Sequence, residues 1–403
     1  MRERKVLIVD DDISICRYIA RVCKDSGYEA VMASSFAEFE EALRRHTFFL
    51  VMTDLQMPDC DGIECMRVLA NGDYDVPVAI LSGFDPRVLQ TAEAFGRSVG
   101  LTIIDTLQKP VVVAAIRELL ETAAARATGA PEEELQAAID KREITIFYQP
   151  KVSFQKDNFG TVVGFEALAR WLHPQRGLIA PNHFIPLAEA TGKIADLTDI
   201  VMDIGIAQLR QWADAGETYS LAINISPQML DDRTLADRIH RKVIEAGVNP
   251  AKLTLEITES GAMADPTKTM EILTRLRLKG FKLSIDDFGT GHSSLVQLYN
   301  LPFSELKIDR SFVSGIDDRD DAKVIVKTLI DLAHNLSLQV CAEGVETIYE
   351  WLCLMDYGCD RIQGYFAGKP IAGGEIPEWL EDWGSRRTEI LATRDRQEPQ
   401  WAH

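Results

Sequence analysis

Long hydrophobic runs are missing from this chain. No apolar stretch reaches the roughly 18 residues that a membrane-spanning helix needs, and the opening Met1 to Lys5 leads straight into a strand pattern without a signal-peptide core. Both absences point to a soluble, cytoplasmic protein with no membrane insertion. Positive charge is also short: 43 Lys and Arg face 62 Asp and Glu, a formal net charge of -19. That balance excludes a nucleic-acid polymer or an anionic membrane held by bulk electrostatics, and a phosphate substrate would need cations to screen it locally. The 7 cysteines are scattered and form no CxxC pair, so neither a disulfide framework nor a zinc centre is expected. The 403 residues are 46% hydrophobic, enough for two cores, one small and one near barrel size.

The first 110 residues carry four continuous apolar runs, each ending on polar side chains. Lys5 to Asp10 ends at Asp10, Asp11 and Asp12, Phe48 to Thr53 at Asp54, Val76 to Leu81 at Ser82, and Leu101 to Leu107 at Lys109-Pro110. Runs of this kind are buried strands of a parallel sheet, whose carboxyl ends share one edge where ligands bind. Gathered there, Asp10, Asp11 and Asp54 have the chemistry to hold Mg²⁺, while Ser82 and Lys109 suit the oxygens of a phosphoryl group carried by one aspartate. The resemblance is to the receiver domain of two-component response regulators. It implies a flavodoxin-like doubly wound fold, Asp54 as phosphoacceptor, Mg²⁺ at Asp10, Asp11 and Asp54, Ser82 as switch hydroxyl, Lys109 as phosphoryl-binding lysine and a histidine kinase as phosphodonor. One departure stands out: Thr106 occupies the position, three before the lysine, where receivers usually carry Tyr or Phe.

An Ala-rich, then acidic, stretch containing Gly129 and Pro131 marks a boundary. The division expected is a first domain over 1–122, a linker over 123–134, a second domain over 135–384 and a polar, disordered tail over 385–403, with Arg386-Arg387 a solvated pair. Within the second domain, apolar runs begin at Ile144, Val162, Ser220, Lys252, Lys282, Ser304, Leu338 and Arg361, spaced by helix-sized segments such as Leu197 to Ala215 and Asp321 to Leu336. Eight strands with intervening helices suggest a (β/α)8 TIM-like barrel. Near the end of each run stands a polar residue: Gln149, Glu166, Asn224, Glu256, the pair Asp286 and Asp287, Lys307, Glu343 and Gln363. Strand ends converge on one face of such a barrel.

Acids gathered there would repel one another without a cation. An all-oxygen donor set, Glu166, Asn224, Glu256, Asp286, Asp287 and Glu343, selects Mg²⁺ or Mn²⁺ over zinc or copper. The adjacent aspartates suggest two ions of the phosphoryl-transfer type. Adjacent residues of a regular strand point to opposite faces, so both reach one site only where the backbone bends, a freedom Gly289 and Gly291 would supply. Lys307 would orient or deprotonate the attacking water, its pKa lowered by the ions.

The motifs Glu166-Ala-Leu168 followed by Arg170, Asn224-Ile-Ser226, Leu255 to Ser260, Asp286 to Gly291, Leu306 to Asp309, Ala342 to Glu346 and Gln363-Gly-Tyr365 together resemble the EAL-type cyclic di-GMP phosphodiesterases, from about Ile144 to Pro370. The resemblance implies a barrel whose first strand runs against the others and two Mg²⁺ or Mn²⁺ ions on the six donors. It implies hydrolysis of cyclic di-GMP to linear pGpG, with Lys307 near the attacking water and Gln149, Leu168, Arg170 and Gln363 against the dinucleotide. Glu259 would anchor the loop that begins at Asp287, Glu346 would support the ligands from behind, and a homo-oligomer is expected. His292 departs from the family's usual Tyr. The reading is a response regulator whose hydrolysis is modulated through Asp54; the alternatives are a non-hydrolysing cyclic di-GMP receptor or a phosphorylation-dependent docking module.

Overall fold

The structure, a computed structural model, describes residues 5–58, 60–72, 74, 76–83, 86–127, 132–155, 159–263, 265–289 and 295–397. It divides into two compact units, Met1–Pro131 and Glu132–His403. In the first, strands β1 (Lys5–Val9), β2 (Glu29–Ala33), β3 (Leu50–Asp54), β4 (Val78–Ser82) and β5 (Ile103–Gln108) form a parallel sheet of order β2-β1-β3-β4-β5. Side chains alternate across it: Leu7 and Val9 join one core with Phe39, Met66 and Leu69, while Val6 and Ile8 join the other with Ile19, Ile116 and Leu119. Both faces are covered, so the strands read as unbroken apolar runs. Asp12, at the end of the first run, caps the helix Ile13–Asp25 by accepting from the Ser14 amide.

The linker expected over 123–134 is helical on both flanks. The helix Val113–Ala127 carries the first unit to its end and the helix Glu132–Asp140 opens the second. In the second unit β6 (Ile144–Ser153), β7 (Val162–His173), β9 (Ser220–Asn224), β10 (Leu253–Thr258), β11 (Lys282–Phe288), β12 (Glu305–Ile308), β13 (Gln339–Ala342) and β14 (Arg361–Gln363) close a ring, joined by β8 (Gly177–Ile179) beside β7 and β15 (Ile371–Ala372) beside β6. Seven ring strands are parallel, while β6 is antiparallel to both of its neighbours, β14 and β7. The first barrel strand therefore does run against the rest.

β6 and β7 extend well past the apolar runs that announced them, and Gln149 pairs with Glu166 inside the ladder. Gln149 and Glu166 therefore mark no strand end: β6 and β7 continue because the barrel interior at that height is itself polar, whereas β9 and β14 do end at Asn224 and Gln363. A disordered tail at 385–403 is likewise not what the described residues show: the helix Ile376–Gln397 runs through its start. Arg386 donates to the carbonyls of Phe366 and Ala367, and Arg387 to that of Phe159, so this pair ties the last helix to the barrel. Among the described residues no helix is long and apolar enough to cross a membrane.

Candidate active site

At the mouth of the barrel, carboxylates from β7, β10, β11 and the residue after β13 converge on Lys307 of β12. Its Nζ lies 3.4 Å from Glu166, 2.8 Å from Glu256, 3.0 Å from Asp286 and 2.6 Å from Glu343, with 1% of the side chain exposed. Parallel register explains the levels: Glu256 is the partner of Asn224, and Asp286 of Thr258 two residues further along β10. Glu166 ties the ring together, accepting from Asn224 Nδ2 at 2.7 Å and from Gln363 Nε2 at 2.7 Å. Gln363 Nε2 also donates to Gln149 at 2.9 Å. A Cβ on Gly364 would fall 2.2 Å from the Val345 amide nitrogen, so only glycine lets the end of β14 lie against the loop after Glu343.

The bend that turns both aspartates inward sits on Asp287 itself. Its φ is 55°, left-handed for a residue with a Cβ, and the β11–β12 register slips between Ile285 and Phe288. The sequence reading gave that task to the glycines. Gly289 does have φ 98°, while Gly291 and His292 lie outside the described residues. The Gly289 amide donates to Glu259 at 2.8 Å, the anchoring expected of Glu259. Asp286, Asp287 and Glu343 present oxygens within 4.8 Å of one another.

Electrostatics here are governed by burial. It pushes the Asp287 carboxyl up to about 6, helped by Asp286, and raises Glu343 and Glu256 despite the neighbouring lysines. Burial pushes Glu166 the same way, but Lys307 and Lys151 overcome it and hold that carboxyl below its ordinary value. For Lys307, desolvation is outweighed by Glu166, Glu256, Glu343 and Asp286, which hold the ammonium charged well above the ordinary lysine range.

A cavity of about 290 Å³ opens over this cluster, lined by Gln149, Leu168 and Gln363 as anticipated, and by Arg310 and Tyr365, which were not. Arg170 is not part of that lining: its guanidinium lies over the Phe147 ring and donates to the Ala169 carbonyl at 2.8 Å. Glu346 lines the cavity from its exposed rim, paired with Arg310 at 2.8 Å. Sequence reasoning also missed the buried Lys151 and Glu305 and the partly buried Arg361, below the ring. Each lies two residues before a residue it had named, or after one, on the same inward face.

In the first unit, Lys109 Nζ lies 2.7 Å from Asp10 and 2.8 Å from Asp54, at the carboxyl ends of β1 and β3. Asp10, Asp11 and Asp54 bring carboxylate oxygens within 4.8 Å of one another, and Ser82 is buried at the end of β4. Thr106 lies within β5, opposite Ile80.

The EAL domain model matches residues 132–370, and the response regulator receiver domain model matches residues 6–121. The chain belongs to the EAL family. Its N-terminal unit is a response regulator receiver domain. The EAL region is 40% identical over 244 residues to the bifunctional diguanylate cyclase/cyclic di-GMP phosphodiesterase MucR of Pseudomonas aeruginosa, covering 60% of this chain but 35% of that protein. The cyclic di-GMP phosphodiesterase RocR of the same organism is 32% identical over 332 residues, covering 80% of this chain and 84% of RocR. Among solved structures, the MucR phosphodiesterase in complex with c-di-GMP aligns with a TM-score of 0.58 and 40% identity, over 60% of this chain and 98% of that one. The EAL enzyme Bd1971 with cAMP and cyclic-di-GMP bound aligns with a TM-score of 0.57 and 31% identity, over 66% and 75%.

Proposed function

We propose that this EAL protein hydrolyses cyclic di-GMP to linear pGpG and that phosphorylation of Asp54, by a histidine kinase, modulates the rate. The observation that carries the hydrolytic reading is the ring of Glu166, Glu256, Asp286 and Glu343 around one ammonium at the barrel mouth, with Asn224 bonded to Glu166. The names of MucR and RocR support the substrate. The donor set fits hard divalent cations: it is all oxygen, and carboxyls pushed upward by burial and by one another gain from a cation among them. Two Mg²⁺ or Mn²⁺ ions, held by Glu166, Asn224, Glu256, Asp286, Asp287 and Glu343, would supply the charge that neutralises phosphoryl oxygens and acidifies water.

The chain's own residues do the rest. Lys307, a charged donor, hydrogen-bonds and orients the attacking water or a phosphoryl oxygen; while carboxylates face it, it has no lone pair to take a proton. Gln149, Leu168 and Gln363 line the cavity against the dinucleotide, and Arg170, which lies over the Phe147 ring, meets the dinucleotide from outside that lining. Glu259 fixes the start of the loop after Asp287, and Glu346 holds Arg310 at the rim. Incubation with cyclic di-GMP and Mg²⁺ or Mn²⁺, followed by separation of the nucleotides, is expected to show pGpG. Tight binding without any linear product would mean a receptor instead.

Asp287 predicts a pH effect. Its folded pKa of about 6 means that below this value the metal-free site keeps a proton that a cation must expel. Cation affinity is therefore expected to weaken as pH falls through 6, with proton release on binding in that range. Calorimetry in buffers of different ionisation enthalpy checks this, and a pH-independent affinity would contradict it.

In the receiver, Mg²⁺ at Asp10, Asp11 and Asp54 would position the phosphodonor while Lys109 and Ser82 hold the transferred oxygens. The modification adds about two negative charges to Asp54. Asp54→Asn is expected to abolish phosphoryl uptake from acetyl phosphate, seen as loss of a gel-mobility shift, and to make hydrolysis insensitive to the phosphodonor. Equal response of the two proteins would remove the receiver from control of this activity.

A further inference from the structure

Beneath the ring of site carboxylates the barrel interior carries a second charged layer. Barrel interiors are ordinarily filled by branched apolar side chains, and a buried charge is costly unless paired. Here Lys151 of β6 is 4% exposed, and its Nζ lies 2.6 Å from Glu256 Oε1 and 3.4 Å from Glu305 Oε1. Glu305 of β12 is satisfied from other directions: Ser284 Oγ donates to its Oε1 at 3.0 Å, and Arg361 Nη1 lies 2.6 Å from its Oε2. Arg361 is in turn fixed by Gln339 Oε1 at 2.8 Å. With Glu305 already balanced by Arg361, the charge of Lys151 is matched mainly by Glu256.

Glu256 is thereby held from two sides, Oε1 by Lys151 below and Oε2 by Lys307 above. We propose that Lys151 is a positioning residue: it retains Oε1 of Glu256, so that this side chain presents the single oxygen Oε2 to a divalent cation. Binding of the cation then displaces Lys307 alone. The Lys151–Glu305–Arg361 layer supports Glu256 from behind, as outer partners support metal-ligating carboxylates elsewhere. The inference rests on the proposed role of Glu256 as a cation ligand.

The test uses the full chain stripped of metal, with Mn²⁺ uptake read from the electron paramagnetic resonance signal of free Mn²⁺. Lys151→Met also removes the longer 3.4 Å contact with Glu305, so Lys151→Met/Glu305→Gln is made beside it to remove both charges. The double variant is expected to fold with a melting temperature near that of the unaltered protein, yet to bind Mn²⁺ at least about tenfold more weakly. Glu305→Gln alone is expected to keep the parent affinity. A folded double variant with unchanged Mn²⁺ affinity overturns the proposal, and so does collapse of both Lys151 variants, which would assign Lys151 to the fold alone. If the unaltered protein takes up no Mn²⁺, the reading of the whole site falls and this proposal with it.

Discussion

Glu166→Ala is expected to abolish hydrolysis of cyclic di-GMP, lowering kcat on the order of a thousandfold, as losses of a charge-stabilising group at phosphoryl and acyl centres do. The reason lies in how many partners the carboxylate serves. One oxygen receives Asn224, and the other receives Gln363 and faces Lys307. Removing it takes away a proposed cation ligand, leaves Asn224 Nδ2 without its acceptor and leaves Gln363 held by Gln149 alone. Glu166→Gln is the sharper control, since it keeps the volume and one acceptor while losing the charge. Chromatographic separation of the nucleotides, with circular dichroism to confirm folding, reads the result. More than about a tenth of the parent kcat surviving in Glu166→Ala would refute the assignment.

Lys307→Met is expected to cost both activity and stability, and the two losses separate on adding cations. Without metal, the ammonium is shared by Glu166, Glu256, Asp286 and Glu343 inside the barrel. Leaving such charges uncompensated costs about 3–5 kcal/mol, or a fall on the order of 10 °C in melting temperature in chelator. Mn²⁺ or Mg²⁺ should restore most of the stability, because a cation among the acids replaces the lost charge, but should not restore hydrolysis. The sign of the pH dependence follows from Glu166, whose folded carboxyl lies below its ordinary value. Its contribution is present above the ordinary glutamate range and is lost as pH falls through the folded value, so the parent and variant should converge in acid. Equal stability at neutral pH in chelator would show that Lys307 does not compensate these acids.

How much of this was legible in the residues differs by element. The receiver strands were plain because both sheet faces are covered, so Lys5–Val9 and Val78–Ser82 appear as unbroken apolar runs. The barrel strands were found, but the first two, β6 and β7, were cut short. A polar side chain ends an apolar run whether it faces solvent or a polar interior, and at Gln149 and Glu166 the interior was the answer. Counting by two along the same strands would have reached Lys151, Glu305 and Arg361, since side chains of one face recur at that period. Arg310 gave no comparable signal. It reaches the cavity from the short helix Arg310–Val313, where it pairs with Glu346.

Residue types and their spacing alone determined that two α/β units follow one another, that acids and an amide stand at successive strand ends, and that an oxygen-only donor set favours hard cations. Local patterns carry that information because alternation and strand length are properties of the chain itself. Tertiary structure decided which charges meet. It set four carboxylates around Lys307 and put a left-handed backbone bend on Asp287, with Gly289 also at positive φ. It also put Lys151 behind Glu256. Those outcomes depend on register across the ring and on burial, and neither quantity exists until distant strands have closed the barrel.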